Sequence, residues 1–245
     1  MRSHTYFIAD LHLDPQKPRA YEFALGFLAQ IQHAKALYIL GDLFEYWVGD
    51  DAGVPLYKDV VDALASLSAN DCQVSIMLGN RDFLLGESFA EAAGATLVRD
   101  DELVINLDDD PTLLLHGDTL CIDDIEYQAF RQQLRDDSWQ QEFLEKTIAE
   151  RIAFATHLRE QSREISSDKT QSLMDVNASE VDSRFAASHC QSMIHGHTHR
   201  PDLHRDKTAD TSRFVVGDWH TDHAYYVVHD PSGLHLTRYE GVLGT

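Results

Sequence analysis

Five short apolar runs in this sequence are each followed closely by a side chain that can donate oxygen or nitrogen to a cation. The runs read as β-strands, because they are short, rich in β-branched and aromatic residues, and bounded by turn residues. In an open α/β sheet, ligands bind beyond the carboxyl ends of the strands, so we expect these side chains to meet at one edge. The residues concerned are Asp10, His12, Asp42, Asn80, His116, His195, His197 and His199.

Each of these residues also has an ordinary structural explanation. An aspartate after a strand is most often a turn former or a helix cap, and Gly-Asp and Gly-Asn are common turn dipeptides. A single histidine there is more often hydrogen-bonded locally than bound to a metal. The coincidence of five positions, with Asp-x-His and His-x-His spacings among them, favours a site. In an extended segment, residues i and i+2 point to the same side, so Asp10 and His12 could share one metal.

The donor set predicts the class of metal. It contains imidazole, carboxylate and amide groups and no sulfur, which suits Mn, Fe, Zn, Co or Ni better than Cu(I) or calcium. It also holds more donors than one four-coordinate zinc requires. Two ions about 3.5–4 Å apart, bridged by one carboxylate, form an arrangement that catalyses displacement at phosphorus. We therefore expect a dinuclear centre.

Composition restricts the classes of protein. The 245 residues are 43% hydrophobic and 25% charged, which is typical of a globular domain. No apolar run reaches the roughly 18 residues of a transmembrane helix, and "MRSHTYFIAD" does not have the pattern of a signal peptide. The three cysteines are widely spaced, which argues against disulfides and fits a reducing cytoplasm. The net charge of −21 argues against broad contact with nucleic acid.

The order of the patterns suggests a layered α/β core. Apolar residues at helical spacing follow Pro18 and, further on, Pro55. The runs "ELVINL" and "TLLLH", joined by "DDDP", predict a hairpin. Other strands are predicted at 5–9, 37–40, 74–78, 192–195, 214–216, 224–228 and 234–239.

The segment from about 124 to 175 differs from the rest. It shows no strand pattern and no proline, and its apolar residues recur at roughly helical spacing. Residues 125–169 carry seven lysines and arginines beside nine acidic residues. A helical insertion over one edge of the core and a set of ordinary layer helices are both open, and the composition alone favours a solvated amphipathic helix pair.

The blocks "DLH" (10–12), "GD" (41–42), "GN" (79–80), "HGD" (116–118) and "GHTH" (196–199), taken in this order, resemble the calcineurin-like metallophosphoesterases. The combination is specific, although each block alone is weak. The resemblance implies an α/β fold, a four-layer αββα sandwich of two mixed sheets with a dinuclear centre at the strand ends. It also implies a single domain over 1–245 with a helical cap insertion at about 124–175.

The resemblance implies a role for each donor. The first metal would be held by Asp10, His12 and His199, the second by Asn80, His116 and His197, and both by Asp42 as a bridge. His195 has no ligand counterpart in the family pattern and is interpreted as a supporting residue.

One position departs from the general family pattern. Most members have a histidine after the Gly-Asn pair, where this chain has Arg81. Arg81 and longer blocks such as "GNRDFLLG" (79–86) and "SLMDVN" (172–177) resemble one branch of the family. That branch hydrolyses UDP-2,3-diacylglucosamine in lipid A biosynthesis. Arginine can donate two parallel hydrogen bonds to phosphate oxygens, which suits a diphosphate substrate.

The resemblance to this branch implies the reaction and its residues. Hydroxide activated by two Mn²⁺ ions would attack the α-phosphorus, releasing UMP and 2,3-diacylglucosamine 1-phosphate. Catalytic roles would fall on Arg81, Asp42, Asn80 and His116. Substrate contacts would be Asn80, Arg81, Asp124, Ser162, Lys169 and His197, with Ser166 at a position that is usually asparagine.

The branch also implies a setting for the reaction. The insertion would form a lid with an apolar groove for two acyl chains, and its basic residues would suit a diphosphate and an anionic membrane surface. The chain would lie peripherally on the cytoplasmic face of the inner membrane, with no obligate protein partner and no nucleic acid.

Two alternatives stay open. Another dinuclear nucleotide pyrophosphatase or phosphodiesterase of the superfamily would share the ligands but need a small polar pocket. A non-catalytic scaffold of this fold usually lacks ligands, whereas all seven candidates are present here.

Overall fold

The computed structural model describes residues 3–168 and 175–242, with the side chains of 160–168 outside the description. Its strands are β1 Thr5–Ile8, β2 Ala36–Leu40, β3 Gln73–Met77, β4 Thr96–Val98, β5 Glu102–Leu107, β6 Asp110–Leu115, β7 Ser192–His195, β8 Asp202–Asp206, β9 Thr211–Val215, β10 Ala224–Asp230 and β11 Gly233–Tyr239. Its helices are α1 Pro18–Gln30, α2 Asp50–Leu56, α3 Lys58–Ala69, α4 Glu87–Ala93, α5 Ile125–Leu134, α6 Asp137–Leu144, α7 Ile148–Asp168 and α8 Ala178–Ser188, with a 3₁₀ turn at Asp118–Leu120.

The strands form two mixed sheets. The first has the order β11-β10-β1-β2-β3-β4, in which β1 to β4 are parallel and the last two strands of the chain add antiparallel at one edge. The second has the order β5-β6-β7-β9-β8, in which β6, β7 and β9 are parallel. The predicted hairpin is its β5-β6 pair.

Alternation along the strands places the two sheets face to face. In β1, Phe7 points toward the second sheet, where it joins a buried cluster with Leu114 and Ile194. Its neighbour Ile8 points the other way and packs with Phe27 of α1. This period of two allows one strand to contribute to two apolar layers.

Helices cover the outer faces of both sheets. The largest buried cluster joins the first sheet to α1, α3 and α4, and a smaller one joins Leu113 and Met193 of the second sheet to Val181 of α8. The predicted αββα arrangement of two mixed sheets is thereby confirmed. The cysteines are free and buried, in agreement with the sequence.

Some local expectations were wrong or incomplete. The helix predicted behind Pro55 begins only at Lys58, as α3, because Pro55 lies inside the preceding helix α2 and Tyr57 separates the two helices. The sequence did not predict α2, α4, α8, β4 or β8. Both missed strands are short or largely exposed, so their apolar signal is weak.

The segment from about 124 to 175 is helical in its described part, as its pattern predicts, and that part comprises α5 to α7. We call Ile125–Asp168 the helical segment. Its residues Phe143 and Phe154 join the core cluster on the helix-covered side of the first sheet. Among the described residues, none of the helices combines the length and apolar character needed to cross a bilayer.

Candidate dinuclear metal centre

The structure brings the predicted donors together where the central strands end. His12 Nε2 lies 3.1 Å from His199 Nε2. Asn80 Oδ1 lies 3.1 Å from His116 Nε2 and 3.2 Å from His197 Nδ1. These pairs belong to the two ligand sets that the family resemblance assigns to separate metals.

Asp42 lies between the two sets. Its Oδ2 is 3.8 Å from His12 Nε2, and its Oδ1 is 3.9 Å from His116 Nε2. Its Oδ1 also accepts a hydrogen bond from the Arg81 amide at 2.8 Å. A carboxylate with one oxygen toward each set can bridge two ions.

Asp10 shows that these residues fit a cation. Donor atoms of Asp10, His12 and His199 lie within 4.8 Å of one another, and so do those of Asp10, Asp42 and His116. Asp10 Oδ2 accepts from the His197 amide at 2.7 Å, but the buried Oδ1 has no hydrogen-bond partner in the described part of the chain. Burial raises the pKa of Asp10 to about 6. A bound cation would satisfy this oxygen and offset the cost of burying the carboxylate.

The ligand residues share an uncommon backbone conformation. Asp10, His12, Asp42, His197 and His199 have φ between 45° and 71°, the left-handed region that few non-glycine residues adopt. The expectation that Asp10 and His12 share a side because their segment is extended was therefore wrong. Left-handed turns, held by bonds such as Asp10 N to Gly41 O at 3.1 Å, aim both side chains at the centre.

Glycines in the motif blocks allow the ligand loops to approach closely. A Cβ atom on Gly79 would lie 2.1 Å from Asp42 Oδ1, and one on Gly196 would lie 2.5 Å from Asp10 Oδ2. Each of these glycines is needed because a ligand carboxylate fills the space of its side chain.

Asp82 connects two of the ligand loops, a role that the sequence did not reveal. Its buried carboxylate accepts hydrogen bonds from the amides of Leu43 at 2.7 Å, Gly79 at 2.9 Å and Asp42 at 3.2 Å. Burial raises its pKa to about 6. The only sequence signal was its place in "GNRD", where a turn aspartate is unremarkable.

Asp118 was also missed as a supporting residue. It is buried beside the centre and accepts from Tyr127 Oη at 2.8 Å and Arg131 Nε at 2.7 Å, both from α5. Burial alone would raise the pKa of Asp118, but the charges of His116, His197 and Arg131 outweigh burial and hold that pKa well below its usual range. Asp118 thus ties the helical segment to the metal centre.

The environment keeps two of the ligand imidazoles neutral. Burial lowers the pKa of His12 well below its usual range and that of His197 to about 3. Burial also lowers the pKa of His116, but the charges of Asp42, Asp118 and Asp10 together raise it above its usual value. Neutral imidazole is the form that binds metal, and cations held here would keep His116 in that form.

His195 has both ring nitrogens occupied. Its Nδ1 donates to the Gly196 carbonyl at 2.9 Å, and its Nε2 accepts from Arg213 at 2.9 Å. Burial lowers its pKa to about 3. This arrangement agrees with a supporting residue.

A cavity of about 310 Å³ begins at the centre and continues beneath the helical segment. Asn80, Arg81 and Asp124 lie on its wall, and Asp124 also caps α5 by accepting from the Tyr127 amide at 3.1 Å. Most of the wall is apolar, with Trp47, Phe83, Leu134, Trp139, Phe143 and Phe154. Of the other predicted contacts, Lys169 and the side chains of Ser162 and Ser166 lie outside the described residues.

Arginines of the helical segment point toward the core. Arg135 donates to the carbonyls of Leu78 at 3.0 Å and Gly79 at 2.9 Å, just before Asn80. Three others pair with core carboxylates: Arg131 with Asp118 and Asp101, Arg151 with Asp51, and Arg159 with Glu45. These four arginines attach the helical segment to the core, and Arg131, Arg135 and Arg159 also lie on the cavity wall. The suitability of the basic residues for a diphosphate and an anionic membrane surface stays a prediction.

Comparison with known proteins decides the family. The sequence profile of the calcineurin-like phosphoesterases matches residues 3–201, which include every ligand candidate. This chain belongs to the calcineurin-like phosphoesterase family. Among solved structures, it is similar to a dimetal phosphatase from Danio rerio, with 10% identity and a TM-score of 0.48 over 98% of this chain and 96% of that one.

Several curated proteins are much more similar to this chain in sequence. The UDP-2,3-diacylglucosamine hydrolase of Stenotrophomonas maltophilia is 47% identical over 88% of this chain and 91% of its own. That of Edwardsiella ictaluri is 44% identical over 95% and 90%. That of Aromatoleum aromaticum is 44% identical over 98% of both chains.

Proposed function

We propose that this chain is a manganese-dependent enzyme that hydrolyses the diphosphate bond of UDP-2,3-diacylglucosamine, giving UMP and 2,3-diacylglucosamine 1-phosphate. The observation that carries the proposal is an apolar cavity that opens directly at the candidate metal centre. The name shared by relatives at 44–47% identity supports the same substrate.

The candidate ligands are Asp10, His12, Asp42, Asn80, His116, His197 and His199. When bound, two Mn²⁺ ions would lower the pKa of a coordinated water and neutralise charge on the phosphates. Asn80 contributes an amide oxygen without adding negative charge beside an anionic substrate.

Arg81 binds the diphosphate in this proposal. It lies on the cavity wall next to Asn80, and its buried Nε has no hydrogen-bond partner among the described residues. A buried guanidinium nitrogen without a partner attracts phosphate oxygens, to which arginine can make two parallel bonds. Arg81 would therefore hold the phosphates while the charge on the leaving group develops.

The apolar wall accommodates the acyl chains. Trp139, Phe143 and Phe154 of the helical segment line the cavity together with Phe83 and Trp47 of the core. Each CH₂ group transferred from water to such a wall contributes about 0.8 kcal/mol. The same wall excludes bulk water from the bond to be broken, so the helical segment acts as a lid.

The outer surface of the helical segment supports a peripheral location on the cytoplasmic face of the inner membrane. Ile125 is 77% exposed, and Leu144, Ile148 and Ile152 are about 40% exposed on the neighbouring helices. Exposed large apolar side chains can contact lipid or protein where they form one patch. With four arginines directed inward, apolar contact would contribute more to this association than attraction to anionic lipid.

The test is an assay for UMP release by purified protein with Mn²⁺ and UDP-2,3-diacylglucosamine. We expect turnover, and a Michaelis constant that rises as the acyl chains are shortened. An unchanged constant would contradict the assignment of the cavity. ADP-ribose and a cyclic nucleotide are assayed as alternative substrates. Turnover of either at the rate of UDP-2,3-diacylglucosamine would favour a general pyrophosphatase or phosphodiesterase instead.

A further inference from the structure

A second cluster of metal-type donors lies outside the dinuclear centre. Asp218, His220 and His223 stand on the loop between β9 and β10, and one donor atom from each lies within 4.8 Å of one from the others. The described residues contain three such groups, and the other two are the sets that share Asp10. This cluster has no part in the proposed hydrolysis.

Its geometry resembles that of the first candidate metal set. The rings of His220 and His223 stack with centroids 4.4 Å apart and planes at 19°. The rings of His12 and His199 stack with centroids 5.0 Å apart and planes at 17°. Each pair is accompanied by one aspartate, so each cluster offers two imidazoles and one carboxylate.

The spacing of the donors suits one small cation. His220 Nε2 lies 3.1 Å from Asp218 Oδ1. Metal bonds of about 2.0–2.1 Å place neighbouring ligand atoms about 3 to 3.4 Å apart, so an ion could bind both without a change of rotamer.

A neighbouring carboxylate orients the third donor. Asp222 Oδ1 lies 2.8 Å from His223 Nδ1, and a carboxylate can only accept, so Nδ1 carries the proton. The lone pair of His223 is thereby placed on Nε2. A carboxylate that fixes the tautomer of a histidine in this way is the usual outer partner of a metal ligand.

The backbone holds the loop in shape. Asp218 has φ 57°, the His220 amide donates to the His223 carbonyl at 2.9 Å, and Gly217 pairs with Tyr225. Gly217 also abuts the first centre, because a Cβ there would lie 2.5 Å from Asp10 Oδ2. The loop therefore needs little ordering to receive an ion.

We propose that Asp218, His220 and His223 bind one Zn²⁺ ion, at a third site distinct from the dinuclear centre. Two imidazoles and one carboxylate are ligands that zinc accepts readily, and the half-exposed His220 leaves room for water in a fourth position. This inference does not depend on the substrate of the enzyme.

The test counts zinc ions bound to the full chain, prepared without added histidines, after equilibrium dialysis against micromolar free Zn²⁺. We expect three ions per wild-type chain and two for the variant H220N/H223N. Asp222→Asn should weaken the third ion about 10- to 100-fold, because it removes the orienting partner. The control is His235→Asn, which removes another exposed histidine that faces an aspartate, Asp230 at 3.4 Å, and should still bind three.

Each outcome bears on the site. Two ions on the wild type, or an equal number on H220N/H223N, would overturn the proposal. Loss of one ion from His235→Asn as well would mean adventitious binding by surface histidines, and would also overturn it. The melting temperature without zinc checks that H220N/H223N is folded, and if it is not, His220→Asn and His223→Asn separately decide the question, since each should weaken the third ion.

Discussion

The ligand loops of the core and the helical segment beside them are held in place by different means. Left-handed residues, close-packed glycines and the carboxylate of Asp82 fix the ligand loops through their backbone. Arginine side chains that reach across to core acids and carbonyls fix the helical segment. Backbone demands restrict a position to very few residue types, whereas a long arginine can start from many positions. The ligand loops therefore contain a recognisable sequence motif, whereas the helical segment does not.

Removing Asp42, the proposed bridge between two ions, should have the largest effect. Asp42→Ala deletes the carboxylate between His12 and His116, and we expect turnover with Mn²⁺ to fall on the order of 10³-fold or more, equivalent to about 4 kcal/mol. Initial rates and bound manganese per chain measure this together. His116→Ala should behave alike, and full activity in either variant would contradict a dinuclear centre.

A variant at Arg81 should distinguish loss of substrate binding from loss of metal binding. We expect Arg81→Ala to lower turnover about 100-fold, the value of a charged hydrogen bond of roughly 3 kcal/mol. Its manganese content should remain that of the wild type, since none of the candidate metal ligands is removed. Arg81→Lys should not restore the rate, because lysine lacks the paired donors. Loss of manganese instead would make Arg81 a support of the centre.

A single added methyl group tests the backbone argument. Gly79→Ala would place Cβ against Asp42, so we expect manganese affinity to fall about 10- to 100-fold and stability by about 1–3 kcal/mol. The matched control is Gly26→Ala in α1, where a Cβ would meet only Tyr239 Oη at 3.5 Å. It should be neutral or stabilise the chain by up to about 1 kcal/mol. Metal titration and urea unfolding measure the two effects. Equal manganese affinity and equal stability of the two variants would contradict the close approach of Gly79 to Asp42.

The ion pair between Arg151 of the helical segment and Asp51 of the core should make a small, pH-dependent contribution to stability. The hydrogen bond from Arg151 lowers the pKa of Asp51. Such a group stabilises the fold above its unfolded pKa of about 3.9, and this contribution disappears as the pH falls through the lowered value. Asp51 is 56% exposed, so Asp51→Asn should cost at most about 1 kcal/mol at pH 7.

Melting temperatures of wild type and Asp51→Asn measure this contribution. Their difference should shrink below about pH 4, and a difference that grows on acidification would reverse the assigned sign. Manganese content should be the same in both variants at pH 7, because the ion pair lies away from the ligands.

The strands and the grouping of the candidate ligands were predictable because their signals are local. Apolar runs indicated the strands, and the donor side chains at the ends of these runs indicated the sheet edge. The left-handed turns were not predictable, since bonds from neighbouring loops hold them, as from the His12 amide to the Asp42 carbonyl at 3.0 Å. Asp82 and Asp118 act across 39 and 13 residues of sequence, so no local pattern revealed their partners. The break at Tyr57 was missed because the apolar spacing continues through it.

The left-handed ligand residues also have a consequence for metal exchange. Each such conformation costs of the order of 1–3 kcal/mol, and backbone hydrogen bonds such as that from the His12 amide to the Asp42 carbonyl contribute to holding it. These hydrogen bonds join backbone groups, so an exchange of one ion for another does not require them to break. The nitrogen and oxygen donors discriminate only weakly between divalent transition metals, whose affinities follow a common order at most sites. The ion carried by this protein would thus record which metal the cell supplies, and growth on different metals would change it while the fold stays the same.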